Sequence, residues 1–127
     1  MRTDINPEQK NGVTATTQDV LTHHPDNIGD IAATMADYTA ESRFFTPDGL
    51  LRGSEAIRSF FVRMFEEFAK PGMSFELLRQ EVDGDTADIV WRAETADNSF
   101  ELGSDTFIVR NGKIVTQTFG GKISPKR

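Results

Sequence analysis

One strongly amphipathic segment, residues 54–68, limits most what this chain can fold into. Its large apolar side chains recur every three or four residues, which places them on one face of an α-helix. They are Ile57, Phe60, Phe61, Met64, Phe65 and Phe68. Ser54 is a suitable N-cap, and Lys70-Pro71-Gly72 predicts the end of the helix because proline cannot continue its hydrogen bonds. A stripe with four phenylalanines requires a large apolar surface to cover it.

The second half of the chain is predicted to supply that surface as a β-sheet. After Met73 the apolar residues follow the alternating pattern of strands. Asn111-Gly112 between two apolar runs is the strongest hairpin signal, and Asp83-Gly84 predicts another turn. The four predicted strands are residues 75–82, 86–95, 100–109 and 114–119. In the second of them, one face carries Ala87, Ile89, Trp91 and Ala93.

Two shorter helices are predicted near the start of the chain. Residues 17–24 form the first, which Pro25 ends. Asp26 or Asn27 is the predicted cap of the second helix. The apolar face of this second helix consists of Ile28, Ile31, Ala32, Met35 and Tyr38.

A further strand, residues 38–46, is predicted between these helices and the long one, and it ends in the turn Thr46-Pro47-Asp48-Gly49. The order of helix, helix, strand, helix and four strands indicates an α+β protein with its helices on one face of a curved, mostly antiparallel sheet. A bent sheet closed by three helices encloses a cone-shaped internal cavity, which is a default place for a ligand.

Length and composition restrict the partners that the chain is expected to have. The 127 residues predict a single domain over residues 16–127, preceded by a flexible, polar arm of residues 1–15. A net charge of −6 disfavours a nucleic-acid partner. No apolar run reaches the length of a membrane span, and the absence of cysteine excludes disulfides and thiolate sites. We therefore expect a cytoplasmic protein with no membrane or nucleic-acid partner.

Several short motifs, in their order and spacing, carry a family resemblance. They are Gly29-Asp30-Ile31, Tyr38-Thr-Ala-Glu-Ser, Thr46-Pro-Asp-Gly, Arg52-Gly-Ser-Glu-Ala-Ile57, Phe75-Glu-Leu-Leu-Arg-Gln-Glu-Val82 and Asp105-Thr-Phe. With the Asn-Gly hairpin they cover residues 17–124 and resemble the nuclear transport factor 2-like superfamily, in its SnoaL-like and ketosteroid-isomerase-like branch. The resemblance implies the cone-shaped fold, but that fold serves isomerases, cyclases, dehydratases, hydrolases and binding proteins alike.

The resemblance also implies a homodimer that pairs sheet to sheet. The outer face of the predicted sheet carries Val90, Ile108 and either Ile114 or Val115. These apolar side chains would be costly to leave in water.

The isomerases of this superfamily use three residues, and the resemblance places one of them in this chain. The position of their carboxylate base is Thr46, which cannot take a proton from carbon at neutral pH. Their first-helix tyrosine has no counterpart, because the single tyrosine is Tyr38. The position of their acid matches Asp105. A ketosteroid isomerase reaction is therefore not expected.

Asp105 is the leading candidate for a catalytic residue. If it faces the cavity with Phe107 and Val109, burial should raise its pKa, and it could donate to a ligand carbonyl or act as a base. The alternative is a structural aspartate bonded to an arginine or a backbone amide. Arg43, Arg79 and Arg92 are expected to pair instead with Asp88, Glu81 or Glu94 across strands.

His23 is the second catalytic candidate. Adjacent helical residues point about 100° apart, so His23 and His24 do not form a bidentate metal site, and one is expected at the cavity mouth. We expect no metal and no cofactor, since the sequence has no metal-spaced cluster and no phosphate-binding loop. The predicted ligand-binding residues are Tyr38, Phe44, Thr46, Phe61, Phe65, Trp91, Phe107 and Phe119.

Two functions stay open on the sequence. The first is binding of a small apolar or carbonyl-containing ligand without catalysis, which the threonine at position 46 favours. The second is a cofactor-independent isomerase, cyclase or dehydratase that acts on a ketone-like or polyketide-like substrate with Asp105 as acid or base. A second titratable group in the cavity beside Asp105 would favour the second.

Overall fold

The computed structural model describes residues 17–26 and 29–126, and within these ranges the chain forms three helices and six strands. The predicted arm of residues 1–15 lies outside the described residues. The helices are α1 (Thr17–Asp26), α2 (Ile31–Met35) and α3 (Ser54–Phe68). The strands are β1 (Tyr38–Thr46), β2 (Gly49–Arg52), β3 (Ser74–Asp83), β4 (Thr86–Glu94), β5 (Asn98–Arg110) and β6 (Lys113–Pro125).

The six strands of the described ranges form one sheet in the order β2-β1-β6-β5-β4-β3. β1 pairs with β6 in parallel, and every other pair is antiparallel. Register shifts interrupt β3–β4, β4–β5 and β5–β6, and such bulges bend a sheet. The predicted α+β architecture, a cone-shaped fold in which a curved, mostly antiparallel sheet wraps over three helices, is confirmed.

The amphipathic helix α3 packs its stripe against the inner face of the sheet. Ile57, Phe61 and Phe68 are buried, and the other members of the stripe are partly buried against the same core. The predicted cap Ser54 is wrong, because Gly53 occupies the N-cap position with a φ of 90° and the helix begins at Ser54 itself. Glycine suits this left-handed backbone, and its amide donates to the Ser42 carbonyl at 2.8 Å.

The first two helices differ from prediction at their ends. α1 continues two residues past His24, to Asp26. α2 begins only at Ile31, so the predicted caps Asp26 and Asn27 are wrong. Asp30 is the actual cap, since its carboxylate accepts from the Ala33 amide at 3.0 Å.

The last strand is longer than its apolar pattern predicted. β6 extends past Phe119 to Pro125, because Lys122 pairs with Leu102 and Ser124 pairs with Ser99 on β5. Gly121 permits this pairing, since a Cβ at that position would lie 2.2 Å from the Leu102 carbonyl oxygen. No helix in the described ranges combines the length and apolar character that membrane crossing requires.

The outer face of the sheet and its edge strand carry apolar surface. Val90 and Ile108 alternate with inward-facing neighbours and are only half-buried, whereas Ile114 is 1% exposed and belongs to the core. The exposed large apolar residues of β3 are Phe75, Leu77, Leu78 and Val82.

We therefore propose that two copies of the chain pair through the outer face of the sheet, which carries Val90 and Ile108. Light scattering at micromolar concentration is expected to give about twice the 14.2 kDa of one chain. Ile108→Glu should give a monomer with an unchanged circular dichroism spectrum, since it places a charge on this surface without touching the core. A monomer mass for the unmodified protein would contradict the proposal.

Candidate functional site

A pocket of ≈ 80 Å³ lies between α3 and the inner face of the sheet. Most of its wall is aromatic, and α3 contributes a third of the lining residues. The lining residues are His24, Thr34, Phe44, Phe60, Phe61, Met64, Phe65, Phe68, Phe75, Ile89, Trp91, Asp105, Phe107, Gln117 and Phe119. Four polar side chains, His24, Thr34, Asp105 and Gln117, therefore line an otherwise mostly apolar space.

Most of the residues predicted to bind a ligand lie in this wall. Phe44, Phe61, Phe65, Trp91, Phe107 and Phe119 line the pocket. Thr46 does not, because its hydroxyl donates to the Gly49 carbonyl at 2.9 Å and accepts from the Asp48 amide, which closes the turn between β1 and β2. Tyr38 does not line the pocket, but its hydroxyl contacts Gln117 and His24, which do.

Asp105 reaches the pocket from β5 and is buried. Trp91 Nε1 donates to Asp105 Oδ1 at 2.7 Å, and Gln117 Nε2 donates to Oδ2 at 2.9 Å. Its bonded partners are therefore an indole and an amide side chain, rather than the arginine or backbone amide of the structural alternative. Burial raises the pKa of Asp105, and the bonds from Trp91 and Gln117 and the charge of His24 oppose that rise.

Tyr38 connects Asp105 to the helical side of the pocket. Its hydroxyl donates to Gln117 Oε1 at 2.5 Å and lies 3.3 Å from His24 Nε2. Burial, and then the charges of Asp105 and Asp37, raise the pKa of Tyr38 well above its ordinary value, so the phenol keeps its proton and remains a donor.

His24, rather than the predicted His23, faces the pocket. Its ring meets Tyr38, Phe61 and Phe107 edge-on, with centroids 5.7–5.8 Å apart. His24 Nδ1 lies 3.1 Å from Asp37 Oδ2, and His23 Nδ1 approaches the same carboxylate at 3.0 Å. His23, the histidine named as a catalytic candidate, is 44% exposed and does not line the pocket, so His24 is the histidine at the cavity.

Sequence reasoning missed Gln117 altogether. A signal was present, because Gln117 lies two residues before the inward-facing Phe119 and therefore shares its side of the strand. A buried amide at such a position requires hydrogen-bond partners. The side chain is 2% exposed and bonds to both Asp105 and Tyr38.

The arginines lie outside the pocket. Arg79 pairs with Asp88 at 2.7 Å, as one of the predicted cross-strand pairs, whereas Arg92 pairs with Glu76. Arg43 bonds to Thr116 and lies over the ring of Phe45. Among the described residues, no group of three or more His, Cys, Asp or Glu side chains is placed to hold a metal ion.

Gly103 provides the space in which the Trp91 indole lies. The two residues pair across β4 and β5, and a Cβ on Gly103 would lie 2.5 Å from the indole ring. The same indole stacks on Phe119 with centroids 5.9 Å apart, so its position is set from both sides. This packing aims Trp91 Nε1 at Asp105.

Gly103→Ala is expected to destabilise the protein by about 1–3 kcal/mol, because the methyl group overpacks the site and displaces Trp91. The fluorescence of this single tryptophan should change with it. Gly120→Ala is the matched control on the neighbouring strand, since a Cβ there meets nothing within 4 Å. Equal urea midpoints for the two variants would contradict this account of Gly103.

Comparisons with known proteins agree with this architecture. The profile of the SnoaL-like domain matches residues 27–117, a span that contains Tyr38, Asp105 and Gln117. No curated protein matches the chain significantly in sequence.

Solved structures resemble the chain in fold. A nuclear transport factor 2-like protein from Burkholderia thailandensis is 24% identical, with a TM-score of 0.69 over 85% of this chain and 92% of its own. A second such protein, from Mesorhizobium loti, is 24% identical, with a TM-score of 0.67 over 84% and 90% of the two chains. The epoxide hydrolase/cyclase-like enzyme SalBIII, of pyran ring formation in the polyether salinomycin, is 17% identical, with a TM-score of 0.71 over 93% and 97%.

The matched profile covers more than two thirds of the sequence and includes β1, β5 and the start of β6 as far as Gln117. The solved structures repeat the curved sheet and its helices over most of the chain. The chain therefore belongs to the SnoaL-like domain family, and it has the fold of the nuclear transport factor 2-like proteins.

Proposed function

We propose that this protein is a cofactor-independent enzyme of the isomerase, cyclase or dehydratase type. Its substrate is a small, mostly apolar molecule with one carbonyl or comparable oxygen, and the chemistry is proton transfer. The observation that carries the proposal is the buried Asp105 carboxyl in an aromatic pocket that the His24 ring also lines. Positioned titratable side chains of this kind are the groups that general acid–base catalysis uses.

Asp105 is the proposed proton acceptor. An ionised carboxylate has about four acceptor positions, and Trp91 and Gln117 occupy one on each oxygen. The remaining positions are available to a proton on the substrate. Burial raises the pKa of Asp105, which makes its carboxylate a stronger base than one in water.

His24 is the proposed proton donor to the substrate oxygen. The Asp37 carboxylate lies 3.1 Å from His24 Nδ1 and orients the ring, as a third group orients the base in other catalytic sets. Removal of a proton from carbon beside a carbonyl builds negative charge on the oxygen, and a nearby donor stabilises that charge. The second titratable group therefore favours catalysis over binding alone.

The dimensions of the pocket restrict the substrate. Its ≈ 80 Å³ is well below the roughly 300 Å³ at which pockets for drug-sized ligands begin. The wall offers phenylalanine rings and few polar atoms, which favours a compact hydrocarbon skeleton. SalBIII is described as an epoxide hydrolase/cyclase-like enzyme of pyran ring formation, and cyclases are one of the enzyme types proposed here. That enzyme is similar to this chain in fold alone.

The test uses the simplest members of this substrate class. Cyclopentanone and cyclohexanone are incubated with the protein in heavy water, and proton NMR follows the exchange of the protons next to the carbonyl. We expect exchange faster than in buffer at the same pH. Asp88→Asn should keep that rate, because Asp88 is an acid on β4 that lies outside the pocket.

The contrary result is equally clear. Ketone-induced shifts of pocket signals without any exchange above buffer would exclude proton removal from these ketones and favour the binding function. Neither shifts nor exchange across the series would contradict the proposed substrate class.

A further inference from the structure

The hydrogen bonds around Gln117 have a fixed direction. An indole N–H only donates, and the Gln117 amide nitrogen donates to the other oxygen of Asp105, so both carboxyl oxygens accept. Gln117 Oε1 then faces Tyr38 and must accept from the hydroxyl. Since Tyr38 has given away its single proton, its oxygen can only accept from His24 Nε2. This arrangement suits an ionised Asp105 and a protonated His24 Nε2.

A second arrangement satisfies the same atoms when Asp105 is protonated. A proton on Asp105 Oδ2 would be a donor that points at the N–H of Gln117, which is also a donor. Rotation of the amide by about 180° places Gln117 Oε1 on Asp105 and Nε2 on Tyr38. Tyr38 then donates to His24 Nε2, which must lack a proton, and the bond from Trp91 is unchanged.

We propose that Gln117 is a positioning residue whose amide reverses when Asp105 takes up a proton, so that Tyr38 changes from acceptor to donor toward His24. The inference rests on the proposed function, in which Asp105 accepts the substrate proton. The two arrangements fit the two stages of that reaction. Before transfer, Asp105 is a carboxylate and the proton on His24 Nε2 is shared between the Tyr38 oxygen and the substrate oxygen. Afterwards Asp105 carries the substrate proton, the substrate oxygen carries the one from His24, and His24 Nε2 accepts from Tyr38.

The charged groups near this series of hydrogen bonds, from Asp105 through Gln117 and Tyr38 to His24, come from several elements around the pocket. Asp105 is influenced by His24 on α1 and by Asp88 on β4. Tyr38 is influenced by Asp105 and Asp37, and His23 contacts Asp37. Of these groups, only His24 and Asp105 are linked through Gln117, since Asp88 bonds to Arg79 and Thr106.

Asp105→Asn tests the switch on the protein without substrate. The asparagine amide resembles the protonated acid, because its oxygen can accept from Trp91 while its nitrogen donates to Gln117. In the unmodified protein at neutral pH, NMR should show a nuclear Overhauser effect between the Gln117 amide protons and the Trp91 indole proton. In Asp105→Asn, that effect should disappear, and one to the Tyr38 ring protons should replace it.

Asp88→Asn is the control, since it removes a nearby charge and should leave the Gln117 contacts unchanged. A second measurement follows the His24 ring at neutral pH: the nitrogen shift of Nε2 should be that of a protonated nitrogen in the unmodified protein and that of a nitrogen without a proton in Asp105→Asn. If Gln117 keeps its contact with Trp91 in Asp105→Asn, or His24 Nε2 keeps its proton there, the switch does not exist. Because neither measurement uses a substrate, this result is separate from a failure of ketone exchange.

Discussion

The exchange rate of ketone protons is expected to fall by roughly 10²–10⁴-fold when Asp105 is replaced by asparagine, because positioned general bases contribute about that factor. Asparagine keeps the size and polarity of the side chain, and it retains an acceptor for Trp91 and a donor for Gln117. It cannot accept a proton from carbon. Ketone binding, measured by NMR shifts, should therefore change little while exchange is lost.

The same variant is expected to unfold at a higher temperature at neutral pH, by a few degrees. Burial raises the pKa of Asp105, so the native protein binds this proton more tightly than the unfolded chain does. The resulting stabilisation is complete below the ordinary value of 3.8 and is lost as the pH rises through the raised native pKa. The advantage of asparagine should therefore shrink as the pH falls toward that ordinary value.

Calorimetry over this pH range, together with the exchange assay, separates two roles of Asp105. Asp88→Asn controls both measurements, since Asp88 is a partly exposed acid of the neighbouring strand. A large drop in melting temperature with unchanged exchange would make Asp105 a structural residue and end its catalytic interpretation.

Phe44→Ala is expected to lower the free energy of unfolding by roughly 3–5 kcal/mol, because it opens a cavity in the core. Phe44 is 1% exposed, and its ring packs edge-on against Phe60 with centroids 4.9 Å apart. It also stacks on Phe61, with centroids 5.9 Å apart. The loss therefore removes contacts between β1 and α3 that also form the pocket wall.

Phe45→Ala is the matched control for Phe44→Ala. The residue is the next one on β1, points the other way and is 39% exposed. Its removal should cost about 0.5 kcal/mol or less, as is usual for surface positions. Similar urea midpoints for the two variants would contradict the assignment of Phe44 to the core.

The secondary structure of this protein was largely predictable from local patterns. β1 begins and ends at the residues that the sequence predicted, and the inward face of β4 consists of the four predicted residues. Local periodicity is sufficient for elements such as β1 and β4 because each of them buries one face, and burial selects apolar residues at the period of the element.

The ends of elements were less predictable, because they depend on partners far away in sequence. β6 continues through polar residues to Pro125 since β5 is there to pair with them. Gly53 caps α3 because the chain turns sharply beside β1, where a Cβ would lie 3.3 Å from the Ala40 carbonyl oxygen. The local sequence around β6 does not contain β5, and that around Gly53 does not contain Ala40, so these ends could not be predicted from local patterns.

For the site, the sequence by itself determined that an acid, Asp105, lies in a strand with buried neighbours and that aromatic residues form the wall. Tertiary structure alone decided which histidine faces the pocket and that Gln117 joins Asp105 to Tyr38. Side-chain direction at the end of α1 depends on how that helix packs, and the bond from Tyr38 to Gln117 spans 79 residues. Parallel pairing of β1 with β6 brings these two strands side by side, and no local sequence pattern records that pairing.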